Sequence, residues 1–138
     1  MTAAQSAPGT AAPPRHAFEY SVLRAVPRVE RGELVNVGVL VYCQALGFLD
    51  ARTRVVPDLL LALDPEADIA GIEAAVEAYA CVCRGGKEAG QAGATGVGQR
   101  FRWLTAPRST VVQPGPVHLG LTTDPAAELA RLAARLLP

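Results

Sequence analysis

Disulfide and metal frameworks are the first things this sequence does without. It holds only three cysteines, Cys43, Cys81 and Cys83, and its two histidines, His16 and His118, are not spaced to share a ligand set with them. No metal site and no cofactor is expected from that inventory, and the cysteines read as small buried hydrophobes. An excess of either charge is also missing, because 13 Lys and Arg balance 13 Asp and Glu. A protein that grips nucleic acid through backbone phosphates needs a basic surplus or stripe, so nucleic acid is not the expected partner. Long hydrophobic runs are absent too. The longest, Leu34 to Leu49, is broken by Asn36 and Gln44, whereas a membrane span needs roughly 20 apolar residues. The N-terminus lacks the basic-then-apolar order of a secretory signal, so a cytoplasmic, membrane-free protein is expected.

What remains is enough for one core. At 138 residues a chain buries a real interior without staples. Residues 1–16 are rich in Ala, Pro, Ser and Thr with no apolar period, the composition of a disordered tail, with His16 inside it. Residues 17–138 are then a single globular domain.

The organising stretch is Leu34 to Tyr42, apolar or small at nearly every position, as in a central strand covered on both faces. Strict alternation puts Val35, Val37, Val39 and Val41 on one face and Leu34, Asn36, Gly38, Leu40 and Tyr42 on the other. Phe18 to Val26 reads as its antiparallel neighbour, ended by Pro27, with Gly32 turning the chain back. In that register Arg24 lies opposite Asn36. A third strand is expected from Gly47 to Val55, and a short helical piece from Leu59 to Leu63. Asp64-Pro65-Glu66 has the form of a helix start, and Ile69, Ile72, Val76, Tyr79 and Cys83 recur at helical spacing, so a helix is predicted over 65–84. Gly85-Gly86 ends it, and 87–98 reads as a Gly- and Ala-rich loop, whose glycines lack the ending of a phosphate loop. Trp103 reads as a core anchor. Short extended pieces near 110–113 and 117–121, interrupted by Pro114-Gly115-Pro116, suit an edge hairpin or an irregular loop over the sheet. Asp124-Pro125 opens a last helix, 124–137, with Leu129, Leu132 and Leu136 inward. The expected fold is α+β: a small antiparallel sheet with two main amphipathic helices packed on its valine face.

Several blocks in order, Tyr20 to Arg24, Val26-Pro27, Arg31-Gly32-Glu33, Asn36 to Leu40, Trp103-Leu104, Ala106 to Thr110, Gln113 and His118 to Leu121, resemble an uncharacterised bacterial family, domain of unknown function 3037. The resemblance covers about residues 17 to 137. Carried over residue by residue, the family's polar signature falls on Arg24, Arg31, Glu33, Asn36, Arg108, Ser109, Thr110, Gln113 and His118. No activity comes with the family. Its members are said to be encoded beside kinases resembling the serine/threonine-kinase toxin of persistence modules, which implies a kinase-like partner.

Three uses of those polar residues stay open. If Arg108 to His118 folds over the central strand to meet Arg24, Arg31, Glu33 and Asn36, the guanidinium forks and hydroxyls form a pocket for phosphate or carboxylate. The protein is then a small binding or adaptor domain holding an anionic group of a protein partner or a small molecule. In the second, His118 is a general base oriented by Glu33, with Ser109 or a water as the nucleophile of a hydrolase. In the third, Arg31 and Glu33 are a turn ion pair, Asn36 a backbone tie and His118 a loop residue.

Overall fold

The computed structural model describes residues 12–86 and 95–138. Most of the expected tail and most of the expected 87–98 loop therefore lie outside the described residues. His16 does not belong to a tail: it opens the first strand, paired with Thr122.

In chain order the elements are β1 (His16–Ala25), β2 (Val35–Cys43), β3 (Phe48–Thr53), α1 (Pro57–Leu63), α2 (Ile69–Arg84), α3 (Val97–Thr105), β4 (Val112–Pro114), β5 (His118–Thr122) and α4 (Pro125–Leu136). The strands form one antiparallel sheet, β3-β2-β1, whose last edge is shared by β4 and β5, both paired with β1. The α+β class and the antiparallel sheet are as expected. The two short late pieces do not form a hairpin with each other. Pro114-Gly115-Pro116 separates them, and each pairs instead with its own length of β1.

One irregularity decides where the helices go. β1 and β2 pair Leu23 with Gly38 but Arg24 with Asn36, leaving Val37 as an extra residue. Such a bulge reverses the alternation on its strand. Val35 and Val37 thus join Leu40 and Tyr42 in the core beneath α1, α2 and α3, which supply Leu60, Ile72, Val76, Tyr79, Phe101 and Leu104. Val39, Val41 and Cys43 face the other way and pack with Phe18, Leu129 and Leu132 under α4. There is no single valine face, and the two long helices lie on opposite sides of the sheet rather than together on one.

Local chemistry explains the boundaries. Asp124 accepts from the N–H groups of Ala126 and Ala127, with Pro125 at the first helical position of α4. α2 starts four residues later than Asp64-Pro65 predicts. Asp64 caps only one turn, accepting from Glu66 N–H, and the helix proper is capped by Asp68, which accepts from Gly71 N–H. α3 was not expected. Its apolar residues Val97, Phe101 and Leu104 do recur at helical spacing, and Phe101 and Leu104 are fully buried. Of the cysteines, Cys43 and Cys83 are buried as expected, while Cys81 is partly exposed.

Candidate functional site

The polar residues singled out in the sequence divide into separate groups. Arg24, Asn36 and Gln113 do meet, in one row across β2, β1 and β4. Asn36 spends its amide on the fold, Nδ2 donating to Leu136 O at the end of α4, 3.0 Å. Gln113 Nε2 donates to Thr110 O, 2.8 Å, and Thr110 Oγ1 donates to Val112 O, 2.7 Å. The Arg24 guanidinium packs against Gly115, where an added Cβ would lie 2.9 Å from Cζ, and its buried Nε has no partner. Arg31 and Glu33 pair with each other in the exposed β1–β2 connection, 2.9 Å.

Arg108 is on the other side of the sheet. It donates to the Tyr79 hydroxyl of α2 and to Leu104 O and Trp103 O at the end of α3, so the helix's last carbonyls find a cationic cap. Asn36 contacts α4 and Arg108 contacts α2, so the two polar blocks build no common pocket around both. Ser109 is exposed. His118 sits opposite Tyr20 on β5 and stacks on its ring, centroids 5.0 Å apart. Val35, the first residue of β2, pairs with Ala25, five rows along β1 from Tyr20, which is about 17 Å of strand. Glu33, held by Arg31, lies beyond that row, so no acid–base contact joins it to His118.

A concavity that the sequence did not mark lies beside Trp103. Phe101 and Leu104 take the inward positions of α3, which turns Trp103 outward, 50 % exposed. This corrects the expectation of a core tryptophan. The Arg108 guanidinium covers the indole, its Cζ 4.4 Å from the ring centroid and 5.2 Å from that of Tyr79. On one side of Trp103 lies a groove of about 360 Å³ between α2 and α3, lined by Ala75, Ala78, Tyr79, Val82 and Arg108. On its other side an open groove of about 550 Å³ runs to the end of β2, past Arg102, Gln99, Tyr42 and Gln44. Arg102 bridges to Glu19, 2.7 Å, and lies over the stacked rings of Tyr42 and Phe101.

Cys83 and Glu77 of α2 depart from their ordinary behaviour. Burial, reinforced by Asp50, pushes the Cys83 thiol up to about 12, so it stays protonated and inert. Glu77 is held below the ordinary carboxylate value by its hydrogen bond to Arg84 and then by Cys81. Among the described residues, the charged side chains lining the two grooves are Arg102 and Arg108. Between Glu88 and Asp124 the sequence has no acidic residue at all, but carries Arg100, Arg102 and Arg108. Among the described residues no three His, Cys, Asp or Glu gather as a metal site, and no helix is long and apolar enough to cross a membrane. Two guanidinium groups, Arg108 over the rings of Trp103 and Tyr79 and Arg102 over those of Tyr42 and Phe101, beside two grooves can hold an apolar side chain and an anionic one side by side.

The chain matches the model of the family described as "Protein of unknown function (DUF3037)" over residues 20–137. No curated protein and no solved structure matches the chain.

Proposed function

We propose that this chain, which belongs to the DUF3037 family, is a binding domain that takes a protein partner on its α2–α3 side. The observation that carries the reading is Trp103: half exposed, clamped beneath Arg108 and set where two grooves meet. Interface energy concentrates on aromatic and Arg residues held rigidly next to pockets, because such side chains lose little freedom on binding. The acid-free run from 89 to 123 selects an acidic partner surface carrying an apolar or aromatic anchor. A kinase-like protein is the first partner to try. The anionic group is then met by the outer N–H groups of Arg102 and Arg108, not by the row at Arg24.

The test is co-purification with a tagged chain, compared between the natural protein, Trp103→Ala and Ser109→Ala, each checked for folding by circular dichroism. One protein is expected to travel with the natural chain and with Ser109→Ala, and to be lost with Trp103→Ala. Retention of that protein by a folded Trp103→Ala variant overturns the reading.

A further inference from the structure

β5 pairs with β1 along one side, and among the described residues no strand pairs with its other side. Two leucines rise from that strand on one face, Leu119 at 78 % exposure and Leu121 at 56 %, in rows with Glu19 and Ala17. On the opposite face the strand presents His118, Gly120 and Thr122, and Gly120 is closed down against Phe18, whose ring an added Cβ would reach at 2.6 Å. The contrast with the far edge is instructive. β3 exposes Asp50 and Arg52, charges that discourage the addition of another strand, whereas β5 has no charged residue and no proline.

We infer that a second copy of this chain occupies the β5 edge, adding its own β5 antiparallel about a twofold axis at Gly120. The register makes the strand complementary to itself. Gly120 faces the partner's Gly120, each Leu119 faces the partner's Leu121, and each His118 faces the partner's Thr122. Four leucines then form one apolar cluster, and no carboxylate or guanidinium meets its like across the axis. The zero formal net charge removes long-range repulsion between copies. α4 packs over β2 and β3, and among the described residues no strand covers the edge. A five-residue strand offers only about 17 Å of edge, well short of what the roughly 800 Å² per partner of a standard interface requires, so the dimer is weak and concentration-dependent. This inference does not depend on the Trp103 grooves.

The experiment is sedimentation velocity of the full chain from micromolar to millimolar concentration. The mass is expected to rise from 14.4 kDa toward twice that value, and to stay monomeric at every concentration in Leu119→Lys and in Leu121→Lys. Leu61→Lys, on exposed α1, is expected to dimerise like the natural chain. The register is read separately, in a Cys81→Ser background, by mixing Leu119→Cys with Leu121→Cys under diamide. Directly opposed positions have Cα atoms about 4.5–5.5 Å apart, within disulfide reach, and diagonal ones about 7–8 Å. The mixture is expected to cross-link and Leu119→Cys alone is not. A natural chain that stays monomeric throughout, a dimer indifferent to both lysine variants, or cross-linking of Leu119→Cys to itself but not to Leu121→Cys overturns the proposal.

Discussion

Replacing Arg108 by Ala tests whether this residue is a bracket of the fold or a free anion hook. As a bracket it makes three hydrogen bonds, to the Tyr79 hydroxyl, Leu104 O and Trp103 O, and covers two aromatic rings. A charged donor to a neutral acceptor is worth ~1.5–3 kcal/mol when burial leaves the acceptor stranded. Arg108 is partly exposed, so water replaces much of this, and ~0.5 kcal/mol per bond is a fairer figure. The stacking over Trp103 adds roughly 0.5–1 kcal/mol. The sum is a loss of about 2–2.5 kcal/mol in urea unfolding, or somewhat under 10 °C in Tm for a domain of this length. Arg108→Lys keeps one donor and loses the fork, so it falls between. Tyr79→Phe removes one acceptor, and the cycle with Arg108→Ala is expected to show a coupling of about 0.5 kcal/mol. A free hook would behave otherwise, since removing an unpartnered surface charge moves stability by less than about 0.5 kcal/mol. An Arg108→Ala loss that small, with no coupling to Tyr79, would refute the bracket and the rigid Trp103 that depends on it.

Asn36→Ala breaks the tie between the sheet and the last turn of α4, and is expected to cost ~1–2 kcal/mol in urea unfolding while leaving partner binding at Trp103 unchanged. Gly120→Ala drives a Cβ into the Phe18 ring, with an expected loss of about 1–3 kcal/mol that shrinks when Phe18→Leu makes room. Cys83 supplies a pH dependence. Its folded thiol ionises only near pH 12, whereas an unfolded one ionises near ~8.5. Its contribution to stability is therefore complete below about pH 8.5 and is lost as the pH climbs from there toward 12, because the unfolded state sheds the proton first. Stability curves of the natural chain and Cys83→Ala are expected to converge across that window. Parallel curves would contradict it.

How far the sequence could be read depended on whether a feature leaves a local mark. The β1–β2 pair, with Arg24 opposite Asn36, follows from alternation and from Pro27 and Gly32, and the structure has that pairing. α4 is announced by Asp124 and Pro125. The bulge at Val37 has no such signature: one extra residue among valines leaves the composition unchanged, yet it divides the valine stripe between faces and sends α2 and α4 to opposite sides. α3 was hidden because glycines precede it, although Val97, Phe101 and Leu104 carry its period. Misreading α3 placed Trp103 in the core. The polar signature did not stay together: pairing to β1 set Arg24, Asn36 and Gln113 on one face, and the α3 cap drew Arg108 to the other. Sequence alone does not show which carbonyls an arginine will cap.

Trp103 is the protein's one tryptophan, so its emission reports on the proposed anchor without labelling. In a titration with the co-purifying partner, the emission is expected to shift to shorter wavelength and lose its quenching by acrylamide in step with binding. Saturable binding that leaves both unchanged would place the partner elsewhere on the molecule and contradict the account.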